Sequence, residues 1–326
     1  MMRSAVARCA AGLLVCSLAA CSTLPLERYP TREIAERPAP ELSYRGLPLS
    51  SGQVIVSERG SADSLLVSLL TEEYRPFVHS GLIVIDEQRP FVYEAVGSVG
   101  PHLTGPPTDA IKGHIRRVPL DAYLARHAFV AIYEPPPTVD RAAVATYART
   151  QLQQRTPFDP YFDSSDDRAL YCTEFVAHGL EAGGMEPVAG SPVRDNPSLG
   201  VVRAWLKIRA PTIILAGSLV SDERRVALMS HRFSPAQVEA YFALKGELHR
   251  RFTADQKLGN VFARAPGGVK LRPSVAGFLR DGMDYAASHP DEKPEELAAL
   301  VARLGAEHLG PPPAADAATS KWTANR

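Results

Sequence analysis

The stretch Leu170-Tyr171-Cys172-Thr173-Glu174-Phe175-Val176-Ala177-His178-Gly179-Leu180 decides how this chain is read. Its apolar positions, Cys172, Phe175, Val176, Gly179 and Leu180, follow the i, i+3, i+4, i+7, i+8 spacing of a helix with one core-facing stripe. Gly183-Gly184 stops that helix. Cys172 therefore falls in the first turn, near the positive end of the helix dipole and near backbone N–H groups that have no intrahelical acceptor. Both effects favour the thiolate, which is the nucleophilic form. The competing reading is a buried structural cysteine that behaves as a small hydrophobe.

Outward from this helix the pattern is mixed. A loop rich in Asp, Pro and Ser, Thr156–Ala169, precedes it. Before the loop, Val139–Leu152 has helical spacing and follows the break Pro135-Pro136-Pro137. Further upstream, Phe129–Tyr133, Ile115–Pro119 and Gln53–Ser57 read as strands, and Ala62–Leu70 as a helix. Phe77–Asp86 and Phe91–Val96 are β-rich runs split by a polar tetrapeptide, and predict a hairpin. Downstream, Val201–Arg203 and Thr212–Ser218 are expected to add strands. The fold class is α+β, with an antiparallel sheet packed on the cysteine helix over 49–220. Past Ser221 the chain turns helical over Ala236–Phe252, Pro273–Ala287 and Pro294–Leu309, the first opened by the capping box Ser234-Pro235-Ala236-Gln237. Residues 221–310 read as a separate helical accessory region, and 311–326 as a disordered tail.

The first twenty residues carry Arg3 and Arg8, then an apolar run from Cys9 to Ala20. That run falls short of the roughly 20 apolar residues that span a bilayer, so it reads as an export signal, 1–20. Leu18-Ala19-Ala20-Cys21 resembles the lipobox of bacterial lipoproteins, which implies lipidation at Cys21 and a membrane-anchored protein on the periplasmic side. Ser22 after the anchor implies the outer membrane by the same resemblance. Residues 21–48, broken by Pro25, Pro30, Pro38 and Pro40, read as a tether. The formal net charge is zero. A nucleic-acid partner would want a basic patch, so none is expected, and attachment to the membrane falls to the lipid.

With Cys9 and Cys16 in the signal and Cys21 at the anchor, Cys172 is left without a disulfide partner. A nucleophilic cysteine needs a base. His178 is close in sequence but on another face of the helix, where it meets Glu174 at i,i+4. His79 opens the strand-like run His79-Ser80-Gly81-Leu82-Ile83-Val84-Ile85, and Gly81 leaves room for a close approach by another segment, such as a helix end. A hairpin turning about Glu87-Gln88 sets His79 opposite Val96 and makes Glu94 its diagonal neighbour, within a glutamate's reach. A bulge at Pro90 would reverse that parity. His102, His114 and His127 stay open as bases. There is no HExxH, CxxC, GxSxG or phosphate loop, so no metal or cofactor is expected.

Three segments together resemble the circularly permuted papain-like enzymes of the NlpC-like superfamily, specifically the YaeF/YiiX-like group. They are Ser51-Gly52-Gln53-Val54-Ile55-Val56; Phe77-Val78-His79-Ser80-Gly81-Leu82-Ile83-Val84 with Val92-Tyr93-Glu94-Ala95; and Phe158-Asp159-Pro160-Tyr161-Phe162-Asp163 with Leu170-Tyr171-Cys172-Thr173-Glu174-Phe175. The resemblance covers about half the chain. It implies a cysteine peptidase or amidase with Cys172 as nucleophile, His79 as base and Glu94 as orienter. With the expected location, it points to an amide bond of cell-wall peptides. The same permuted fold is similar to lecithin-retinol-type acyltransferases, which makes acyl-ester chemistry the alternative. A non-catalytic wall-binding module is the third reading.

Overall fold

Glu87 and Gln88 both have positive φ, 51° and 60°. They form the two-residue connection of a hairpin whose twist matches that of its strands. Asp86 faces Arg89 and Leu82 faces Tyr93 across it, so the register predicted from the sequence holds and Pro90 inserts no bulge. The computed structural model describes residues 27–28, 39–97, 113–206, 208, 210–265 and 268–312. The expected signal, Cys21, His102 and residues 313–326 lie outside the described residues.

In chain order the elements are β1 (Glu27–Arg28), β2 (Leu42–Tyr44), β3 (Leu47–Leu49), β4 (Val54–Glu58), α1 (Ala62–Ser68), β5 (His79–Asp86), β6 (Arg89–Gly97), β7 (Gly113–Pro119), α2 (Leu120–Leu124), β8 (Phe129–Tyr133), α3 (Arg141–Gln154) and α4 (Cys172–Ala182). There follow β9 (Ser191–Pro192), α5 (Pro197–Leu206), β10 (Thr212–Ile213), β11 (Arg225–Ser230), α6 (Pro235–Asp255), α7 (Leu258–Val261), β12 (Phe262–Ala265), β13 (Gly268–Leu271), α8 (Pro273–Ser288) and α9 (Pro294–Leu309). Seven strands make one sheet in the order β1-β11-β8-β4-β5-β6-β7, antiparallel throughout.

Side chains alternate across this sheet, as a period of two requires. Val54, Val56, Leu82, Val84, Tyr93 and Ala95 face a large core that also holds Leu66 of α1, Val144 of α3, Phe175 and Val176 of α4, and Leu244, Phe278 and Leu304 of α6, α8 and α9. Ile55, Ile83, Val92, Val130 and Ile132 face the other way, onto Leu47, Leu49 and the α2 residues Leu120, Tyr123 and Leu124. The α+β class read from the sequence is therefore what the chain adopts, with the cysteine helix packed on the antiparallel sheet.

Several boundaries differ from expectation. The tether expected over 21–48 is part of the fold where it is described: β1 pairs with β11, and β2 and β3 form a hairpin that buries Leu47 and Leu49. Apolar residues spaced two apart outweigh the scattered prolines there. The helical region 221–310 is not a separate unit. It begins with β11, which lies inside the main sheet, and its helices share the core of the sheet. Val201–Arg203 is helix, not strand, because Pro197 opens α5 and Asn196 caps it by accepting from the Ser198 N–H at 2.7 Å. Thr212–Ser218 shrinks to the two-residue β10 and the start of a tight 3₁₀ turn over Ala216–Leu219. The capping box is present as read: Ser234 N–H donates to Gln237 Oε1 at 3.0 Å, and Gln237 N–H donates to Ser234 Oγ at 3.4 Å.

Candidate active site

Cys172 is the first residue of α4 and is free and buried. Beneath it, β5 begins. Ser80 Oγ donates to the Cys172 carbonyl at 3.1 Å, which fixes the start of the helix against the start of the strand. The residue before Ser80 is His79. Gly81, one further on, has no room for a side chain, since a Cβ would lie 2.8 Å from the Tyr93 carbonyl oxygen. The close approach expected at Gly81 is therefore made by β6, not by a helix end.

His79 Nε2 lies 2.7 Å from Glu94 Oε2. That leaves Nδ1 for the sulfur. Burial alone would lower the imidazole. The charge of Cys172, a hydrogen bond with Cys172, and the bond and charge of Glu94 outweigh it and raise His79 from 6.5 to about 9. Glu94 in turn is almost fully buried, and its Oε1 accepts from Arg116 Nε at 2.9 Å and faces Arg126 at 3.5 Å. Burial opposes its charge, but His79 and then Arg116 hold the carboxyl at about 2. Glu94 is thus an anion that anchors the imidazole and favours its cation.

The other candidate histidines among the described residues do not share this hydrogen-bond pattern. His127 stacks on His79 with ring centroids 5.7 Å apart, and its Nδ1 lies 2.9 Å from the Tyr123 carbonyl oxygen. Burial and then the charge of His79 push it down to about 3, so it stays neutral. His114 is exposed on β7. His178 lies on α4 beside Glu174 and Asp167. Glu174, whose charge would oppose a thiolate two residues away, caps the helix: the Tyr171 N–H donates to its Oε2 at 3.1 Å. Burial first, then Asp159, Asp167 and Asp163, push its carboxyl up to about 8, which removes much of that opposing charge.

Sequence reasoning missed Arg116, Arg126 and Ser80. Arg116 faces Glu94 directly across β6 and β7. The strand Ile115–Pro119 was legible, but its register depends on the long connection from 97 to 113, whose many Gly and Pro breaks mark a loop without fixing a register. Beside Cys172 a small cleft, partly open to solvent, is walled by Val67, Phe77, Val78, Phe162, Ile213 and Leu215, with Arg75 among its few polar groups.

No family model matches the sequence, and no curated protein matches it. The chain is similar to the metalloprotein YiiX from Escherichia coli O157:H7. The match has a TM-score of 0.41 and 19% sequence identity, and it covers 55% of this chain and 95% of YiiX.

Proposed function

We propose that this protein is a cysteine hydrolase that works through a thioester. Cys172 Sγ attacks the carbonyl carbon of the substrate, and the His79 imidazolium then gives its proton to the departing amine or alcohol. A water molecule attacks the thioester, with His79 taking its proton, and the acid leaves as the thiol is restored. Glu94 holds the imidazole in one orientation and stabilises its cation. The Cys172 N–H, free at the helix start, is a donor for the oxyanion. The observation that carries this reading is the 2.7 Å contact between His79 and a buried, ionised Glu94, on an imidazole whose other partner is Cys172.

The bond hydrolysed is an amide of a cell-wall peptide if the lipid anchor at Cys21 puts the protein in the periplasm. The apolar walls beside Cys172 favour the second reading, in which the carbonyl belongs to an acyl chain. Purified protein tested on wall peptides and on p-nitrophenyl esters of rising chain length separates the two. Turnover of either class, lost in Cys172→Ala, together with an acyl adduct on Cys172 by mass spectrometry, is the expected result. Undiminished turnover in Cys172→Ala removes the thiol from the mechanism. Failure of iodoacetamide to label Cys172 would leave only a binding module.

A further inference from the structure

The face of α4 turned away from the sulfur carries a second cluster that the proposed chemistry does not use. Asp167 in the preceding loop, with Glu174 and His178 on the helix, bring two carboxylates and an imidazole to within 4.8 Å of one another. Glu174 and His178 sit one turn apart on the same face. They are displaced from Cys172 by about 200° and 240° around a helix of 3.6 residues per turn, so this is not the thiol's own site.

Glu174 is the informative member. It is fully buried, and only Oε2 has a partner, the Tyr171 N–H. Oε1 has no hydrogen-bond partner among the described residues. A buried acceptor left unpaired is costly, and more so when it is charged. No lysine or arginine forms an ion pair with Glu174 among the described residues, and Asp159, Asp163 and Asp167 surround it with further acidic groups. A buried carboxyl with an unpaired oxygen, an imidazole at i+4 and a movable carboxylate lack one component, a cation, which would displace the Glu174 proton on binding.

We propose that Asp167, Glu174 and His178 form a site for a divalent cation. One imidazole and two carboxylates suit zinc or a neighbouring first-row metal better than calcium, which takes six or more oxygens. Bonds of about 2.0–2.2 Å set donors about 3.5 Å apart, so the exposed Asp167 closes by about an ångström, which its loop position allows. Three protein ligands leave a fourth position for water. Glu174 and His178 are fixed on the helix and Asp167 lies in the loop, so the cation ties that loop to the element that presents Cys172. Its role is to hold the helix start in place, and the reading does not depend on the hydrolase proposal.

The test uses untagged full-length protein, stripped with chelator and titrated with Zn²⁺ alone by calorimetry and by thermal melting. One equivalent of Zn²⁺ binds, and it raises the melting temperature. His178→Ala and Asp167→Asn, at partly exposed positions where folding is not at stake, each weaken binding by at least about tenfold, a loss that even outer-sphere partners can produce. They also abolish the thermal shift. Cys172→Ala keeps both the binding and the shift. Absence of saturable binding overturns the proposal. So does equal binding by the His178 and Asp167 variants, the mark of adventitious zinc. Loss of binding in Cys172→Ala would assign the metal to the thiol instead.

Discussion

Glu94 is where one residue's environment reaches furthest. A carboxyl that unfolds to an ordinary value of 4.5 and folds to about 2 contributes stability that is fully present above pH 4.5 and is lost as pH falls through 2. The difference of about 2.5 pKa units corresponds to about 3 kcal/mol. Glu94→Gln therefore flattens the acid limb of the stability curve by about that amount, measurable by urea unfolding between pH 5 and 2. An unchanged acid limb would mean that Arg116 and Arg126 find other partners. The same substitution lowers His79, whose imidazolium persists to about pH 9 in the native protein. NMR titration of the ring should move toward its usual 6.5 in Glu94→Gln, and further in Cys172→Ala, because Cys172 supplies the larger raising contributions. The bond between His79 and Glu94 was legible because a two-residue turn fixes parity. The two arginines were not, because their placement needs tertiary register that no local signal records.

At the scale of elements, β5 aligns the site. His79 reaches diagonally to Glu94, Ser80 ties down the start of α4, and Gly81 lets β6 come close enough for the first contact. A methyl at Gly81 would lie 2.8 Å from the Tyr93 carbonyl oxygen and from Val92 Cγ1. The carbonyl belongs to a sheet backbone held on both sides, so it cannot yield cheaply. Overpacking of this kind costs about 1–3 kcal/mol. For a chain of this size Gly81→Ala should lower the melting temperature by several degrees, at roughly 2–4 °C per kcal/mol. It should also reduce turnover, since β5 and β6 part where they hold the histidine. A variant with native melting and native turnover would show that the strands separate at no cost. Elements with strong periodicity, such as the hairpin, α3, α4 and α9, were readable from the sequence. α5 reads as a strand over Val201–Arg203 because two β-branched residues, Val201 and Val202, outweigh the Asn196-Pro197 start signal. β11, Arg225-Val226-Ala227-Leu228-Met229-Ser230, went unnoticed because it is a continuous apolar run. Such runs carry no period and mark strands buried on both faces.

β11 matters most for the whole molecule. A composition shift near Ser221 suggests a boundary, yet β11 crosses it to lie between β1 and β8, and α6 returns Lys245 to a fully buried ion pair with Glu58 of β4. Lys245 also donates to the Pro76 carbonyl at 3.0 Å, just before His79. Breaking a buried pair by removing one partner costs about 3–5 kcal/mol, because the other charge is stranded. A chain ending at Val220 would lose that partner. It would also expose the edge of β8 along Val130–Tyr133 and uncover the apolar face now closed by α6, α8 and α9. Composition misled here because helices that roof a sheet have the same amphipathic pattern as helices that form their own bundle; the pattern shows that a face is buried, not what it is buried against. The two readings differ in outcome. If the helical region were an appendage, the shortened chain would unfold cooperatively and label at Cys172 like the full protein. The shared core instead predicts a product without a cooperative thermal transition by circular dichroism, prone to aggregate through the β8 edge, with Cys172 reacting at the rate of an unfolded thiol.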